Sequence, residues 1–147
     1  MKTIAQILEG KGHEIITIRP ADSVLVALEV LGAYDIGALP VVENGQLVGI
    51  FSERDYARKV ALKGLTSALT EVSDIMTSNV HCAHLQHTVV ECMTLMTEKH
   101  IRHLPVMDKD QLVGVLSIGD LVKTIIEDQQ FQIQQLESYI NPALALH

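Results

Sequence analysis

Residues 36–60, IGALPVVENGQLVGIFSERDYARKV, return as residues 101–125, IRHLPVMDKDQLVGVLSIGDLVKTI, without a gap and at a constant shift of 65. Ile36/Ile101, Leu39/Leu104, Pro40/Pro105, Val41/Val106, Gln46/Gln111, Leu47/Leu112, Val48/Val113, Gly49/Gly114, Ser52/Ser117 and Asp55/Asp120 are identical, ten of the 25 positions. Most of the others exchange one apolar residue for another. A doubled supersecondary unit buries its hydrophobic face against its own copy. Any cleft between the copies then also occurs twice.

Working outward, each copy reads β-α-β-β-α. Asn44-Gly45 between two apolar runs is the strongest short hairpin signal, because a type I′ turn needs positive φ at both central residues. Lys109-Asp110 stands at the same place in copy two, a weaker signal of equal length. Before the hairpin, the apolar positions 24, 25, 27, 28, 30 and 31 make a helical face wider than one contact surface needs. Copy two repeats it at Val89, Val90, Cys92, Met93, Leu95 and Met96, opened by a Thr88/Glu91 capping-box pattern. After Ser52 and Ser117 a further helix begins in each copy. Residues 14–18, EIITI, read as a strand ended by Pro20. Residues 3–9 read as a short helix, and Val72–Met76 resembles that opening turn.

These readings divide the chain into a first motif at 1–62, a polar connection at 63–71, a second motif at 72–126 and a helical extension at 127–147. Residues 121–140 can run as one helix. Ile126, Ile133 and Ile140 recur every seventh position with Leu136 between them. Such a stripe fits either a partner helix or the parent domain. Gly49 and Gly114, each inside a strand, read as close-packing points.

The 147 residues suffice for a compact domain with its own core. Hydrophobic residues make up 48% and charged ones 20%, which excludes a disordered chain. With no Trp and 3% aromatics, the core must be aliphatic. The formal net charge of −7 opposes general nucleic-acid binding. Cys82 and Cys92 do not make a disulfide scaffold, and Cys92, on an apolar helix face, reads as a buried thiol in a reducing compartment. The N-terminus lacks a secretory h-region and no apolar run reaches the length of a membrane span. A cytoplasmic protein with no membrane partner is expected.

The tandem β-α-β-β-α unit, with hLPVh-x-x-x-x-LVGhhS-x-x-D in each copy, resembles the CBS (cystathionine-β-synthase) domain over roughly residues 1–125. "SERDYARKV" and "IRHLPV…LVGVLSIGDLVK" resemble small stand-alone bacterial CBS-pair proteins in particular. The resemblance implies an α/β (α+β) fold, two motifs packed sheet to sheet about a pseudo-two-fold axis. It implies two clefts that bind adenine nucleotides, and a homodimer formed through helices.

In the first cleft, Ser117, Ile118, Gly119 and Asp120 form a strand-to-helix junction. A carboxylate there can accept hydrogen bonds from both ribose hydroxyls, and a helix start favours phosphate. The family pattern gives the Asp to the ribose and places the Ser near ribose or phosphate. Arg102 and His103, before Leu104-Pro105, offer a fixed charge and a donor for phosphate. Lys11, His13, Ile16 and Ile18 are expected on the opposite wall, the aliphatic residues flanking an adenine ring. The second cleft centres on Ser52, Glu53, Arg54 and Asp55. It has His81, Cys82 and Ala83 on one wall, Gly37, Ala38, Leu39 and Pro40 on the other, and Arg58 nearby. Ser-x-x-Asp is also an ordinary helix-start pattern, in which Ser caps the helix and the acid supports its first turn. Both roles can coexist where one carboxylate oxygen stays open.

His81, His84 and His87 with Cys82 match no closed zinc spacing, and no metal is expected. No nucleophile–base–orienter set, Walker loop or paired acid/base carboxylates are visible. Together with the resemblance, which implies nucleotide binding, this reads as a regulatory nucleotide-sensing module. It has no catalytic residue and no catalytic cofactor. Its regulatory ligand is AMP-like, ADP, ATP or NAD, and it signals to an unknown effector protein. The rival reading is a dimeric scaffold without a ligand.

Overall fold

The computed structural model describes residues 2–12 and 14–140. Its elements are α1 (Ile4–Lys11), α2 (Val24–Tyr34), β1 (Ala38–Glu43), β2 (Gln46–Ser52), α3 (Glu53–Tyr56), a π-helical turn (Ala57–Ala61), α4 (Val72–Ile75), β3 (Ala83–His84), α5 (Val89–Lys99), β4 (His103–Asp108), β5 (Gln111–Ser117) and α6 (Ile118–Ile140). β1 and β2 form one sheet, and β3-β4-β5 form the other in that order.

The hairpin follows from its turn. Asn44 has φ 52° and Gly45 φ 77°, both left-handed, and Glu43 pairs with Gln46 across them. The two 11-residue helices, α2 and α5, close alike. Asp35 after α2 and His100 after α5 both adopt the left-handed conformation that ends a helix. Thr88 and Glu91 form the expected capping box at the start of α5.

The EIITI strand is not formed. Within 14–18 only Ile18 pairs, through one parallel bridge to Val41, and it is anchored by Ile18 N–H to the Pro40 carbonyl (3.0 Å) and Val42 N–H to the Ile18 carbonyl (2.9 Å). Glu14 and Thr17 are exposed and Pro20 follows, so one rung is all this segment contributes. The matching strand of copy two is equally reduced, to Ala83–His84.

The chain divides into two compact units, and the division cuts across the repeats. One unit gathers the described residues of Met1–Gly12, Ala83–Leu104 and Leu116–His147; the other comprises His13–Cys82 and Pro105–Val115. In the first, α1 docks on the second repeat through Ile4 N–H to the His87 carbonyl (2.9 Å) and Ala5 N–H to the Leu85 carbonyl (3.0 Å). Ile4, Leu8, Val89, Cys92, Met96, Leu104, Leu116 and Leu121 are buried in this unit. In the other, Ile18, Val24, Ala27, Leu31, Leu39, Val41, Phe51, Val60, Val72 and Ile75 form one core. Here the segment after α4 docks on β2, with Ile50 and Thr77 exchanging both backbone hydrogen bonds at 2.9 Å. Gly49 permits that approach. A Cβ there would lie 2.6 Å from Met76 Sδ and 3.0 Å from the Thr77 carbonyl oxygen.

The wide apolar faces split as their width demands. Val24, Ala27 and Leu31 are buried on α2, while Leu25 and Val26 are exposed. On α5, Val89, Cys92 and Met96 are buried, while Val90 is exposed. The seven-residue stripe of α6 faces outward, with Ile126 49%, Ile133 53% and Leu136 62% exposed. Residues 141–147 of the expected C-terminal extension lie outside the described residues.

Candidate functional site: two serine–aspartate corners

Each repeat ends its hairpin in the same corner. In the first, the Ser52 hydroxyl caps α3 by accepting from the Asp55 amide (3.2 Å), and the Asp55 carboxylate reaches back to the Ser52 amide (3.1 Å). In the second, the Asp120 amide donates to Ser117 Oγ (3.1 Å) and the Ser117 amide to Asp120 Oδ2 (2.8 Å). These are reciprocal caps. The preceding loop supports both corners at matching positions. Glu53 N–H donates to the Gly37 carbonyl (3.1 Å) and Ile118 N–H to the Arg102 carbonyl (2.8 Å).

The corners then diverge. Asp55 is buried. Its Oδ2 also accepts from the Ser52 hydroxyl (3.1 Å), and its Oδ1 from the Thr77 hydroxyl (3.3 Å) and the Lys59 ammonium (3.0 Å). Lys59 is held from its other side by the Ile75 carbonyl (3.0 Å). Asp120 is half-buried. Its Oδ2 takes the Ser117 amide and the Lys11 ammonium, the latter at 2.6 Å. Its Oδ1 accepts no hydrogen bond among the described residues. Partial burial pushes the Asp120 carboxyl up. The Lys11 hydrogen bond and charge, with the bonds from Ser117, outweigh this and hold it below the usual carboxylate value.

The second-repeat corner thus has an open carboxylate oxygen, an adjacent ammonium and the first turn of a 23-residue helix. That set can accept a hydroxyl pair and attract an anion. Arg102, with an exposed side chain, and His103 stand in the same compact unit, as do Leu104, Ile118 and Gly119. Ile16, Ile18 and Pro105 belong to the other unit, and His13 lies outside the described residues. Of the second residue set, Gly37, Ala38, Leu39, Pro40, Ser52, Glu53, Arg54, Asp55, Arg58, His81 and Cys82 share one unit. Ala83 falls in the other. Ala38 pairs with Ser52 and Leu39 with Phe51 across the hairpin, which fixes that side of the corner.

Among the described residues no group of His, Cys, Asp and Glu could hold a metal ion. His87 instead uses Nδ1 to accept from the His84 amide (2.9 Å). Burial raises both thiols, and with the Glu91 charge it pushes Cys92 up to about 11. No helix among the described residues is long and apolar enough to cross a membrane.

Sequence reasoning did not find Lys59 or Thr77 as partners of Asp55. The spacing of four between Asp55 and Lys59 was a usable signal. Thr77 offered none, since its approach depends on the docking of 72–77 against β2.

The CBS domain model matches residues 12–62 and 72–127. The chain belongs to the CBS-domain family. It is 34% identical over 147 residues to the mitochondrial CBS domain-containing protein CBSX3 of Arabidopsis thaliana, covering 94% of this chain and 71% of that one. A CBS-domain protein of Burkholderia ambifaria MC40-6 superposes with a TM-score of 0.84 at 46% identity, covering 87% of this chain and 96% of that one. That chain is therefore of nearly the same extent. The CBS pair of protein MJ0100, solved with 5′-methylthioadenosine and S-adenosyl-L-methionine, superposes with a TM-score of 0.75 at 28% identity, covering 84% and 99%.

Proposed function

We propose that this CBS pair is a regulatory module that binds an adenosine-containing ligand at the Ser117–Asp120 corner and passes its occupancy to a partner protein. One observation carries the reading. Asp120 Oδ1 has no partner among the described residues, while Oδ2 is already fixed by Ser117 and Lys11. A carboxylate anchored by one oxygen offers the other, pre-oriented, to a ribose diol, and charge strengthens the bonds it accepts. Lys11 and the helix start favour phosphate beside it. The two ligands of the MJ0100 pair are both adenosine derivatives, which supports the same class here. A ligand that prefers one state of the protein raises that state's population, and regulation needs no more than this.

The test is a thermal-shift panel of AMP, ADP, ATP, NAD and S-adenosylmethionine. A ligand at a hundredfold over its dissociation constant stabilises by about 2.7 kcal/mol, which raises Tm by about 6–10 °C in a chain of this size. At least one member of the panel should do so. A panel that leaves Tm unmoved contradicts the ligand reading and leaves a scaffold.

The outward stripe of α6 supports a second copy of the chain as a partner. Ile126, Ile133 and Ile140 keep a seven-residue period with Leu136 between them, the spacing of residues that meet across paired helices. Ile133→Asp with Leu136→Asp should halve the mass seen by light scattering. A wild-type protein that already runs as a monomer refutes this assembly.

A further inference from the structure

We infer that this chain has one diol-binding carboxylate, Asp120, and that Lys59 and Thr77 close the other, so that one adenosine-type ligand binds per chain. The inference rests on the ribose reading of Asp120 given above. It goes further by assigning two residues that set the stoichiometry.

A carboxylate offers about four lone-pair sites. Asp55 meets four donors: the Ser52 amide and hydroxyl on Oδ2, and the Thr77 hydroxyl and Lys59 ammonium on Oδ1. Its side chain is 11% exposed. The Asp120 side chain is 26% exposed and takes the Lys11 ammonium and the Ser117 amide on Oδ2, with no hydrogen bond to Oδ1 among the described residues. A ribose diol arriving at Asp55 must therefore displace Thr77 and Lys59. Displacing Lys59 also strips the Ile75 carbonyl of its donor, and Thr77 is pinned to Ile50 by two backbone bonds. At Asp120 the diol displaces nothing from Oδ1.

The difference is written in the repeat. Position 59 aligns with Thr124, a buried residue whose hydroxyl donates to the Asp120 backbone carbonyl (3.0 Å) and leaves the carboxylate alone. The opening segment of each repeat reaches the carboxylate of the other repeat, but differently. Thr77 closes Oδ1 of Asp55, whereas Lys11 takes Oδ2 of Asp120. The duplicated corner has become a structural staple in one copy and an open acceptor in the other.

Isothermal titration with AMP, NAD and S-adenosylmethionine in turn tests the stoichiometry. Any of these that binds should saturate at one per chain. Thr77→Val and Lys59→Met should keep its dissociation constant within about twofold while lowering Tm. Two molecules per chain in the wild type overturn the inference. A ligand-free measurement keeps it separate from the ribose reading. In a double-mutant cycle, Asp55→Asn and Thr77→Val should be non-additive in Tm, as members of one network are. If no titrant binds, the ribose reading of Asp120 falls and the cycle alone judges the closed corner. Additive losses in that cycle overturn the closure whatever the titrations give.

Discussion

Asp120→Ala is expected to abolish the proposed ligand-induced rise in Tm while the unliganded protein stays folded. Two separate sums give this result. The apo fold loses a reciprocal cap, about 1 kcal/mol, and a partly exposed ion pair with Lys11, about 0–1 kcal/mol. Neither approaches the stability of a domain this size, about 5–15 kcal/mol. The ligand loses an anchored charged acceptor, and hydrogen bonds to charged groups contribute about 1.5–3 kcal/mol each. Losing one such bond weakens affinity by about 10–150-fold, and a diol makes two. Scanning calorimetry with and without ligand separates the effects. The apo Tm should fall by a few degrees, and the ligand shift should vanish at a concentration that moves the wild type by about 6–10 °C. A full ligand shift in Asp120→Ala removes the ribose role from this residue.

Gly49→Val should destabilise the protein by about 1–3 kcal/mol, the usual result of forcing extra carbons into a packed site. The first carbon alone would lie 2.6 Å from Met76 Sδ and 3.0 Å from the Thr77 carbonyl. Met76 can swing aside. The carbonyl cannot, because it accepts Ile50 N–H at 2.9 Å and the Thr77 amide returns a bond of the same length. The substitution therefore pries the 72–77 segment off β2 and loosens Thr77 from Asp55. Urea unfolding should show a lower midpoint, and Met76→Ala in the same chain should restore only part of it. Complete rescue by Met76→Ala would show that the Thr77 backbone imposes no constraint on position 49.

The parts of the fold visible in the sequence were those fixed by local chemistry. Asn44-Gly45 announces its turn because few residue pairs tolerate two positive φ angles. Thr88 and Glu91 announce a cap by their spacing. The repeat itself shows which corner matches which. The EIITI segment misled because an unbroken run of β-branched residues, Ile15 to Ile18, reports the fit of a pleated surface and not the presence of a partner. Only Ile18 found one, at Val41. The exchange of opening segments between repeats was hidden for a similar reason. Nothing local in residues 2–12 says that α1 will hang from the carbonyls of Leu85 and His87. The inequality of the two aspartates was least legible of all. Ser52/Asp55 and Ser117/Asp120 are the same letters, and the spacing of four from Asp55 to Lys59 was the one local hint of a difference. What separates the two corners is long-range packing that brings Thr77 to one carboxylate and Lys11 to the other.

On the proposed reading, Asp120 grips a sugar by its neighbouring hydroxyls. Titrating the protein with the tightest-binding nucleotide of the panel and with its 2′,3′-dideoxy analogue tests it most directly, because base, phosphate and charge stay constant. Removal of both hydroxyls should weaken binding by about a hundredfold or more, and the difference should disappear in Asp120→Ala. Equal affinity for the two nucleotides in the wild-type protein would contradict the account.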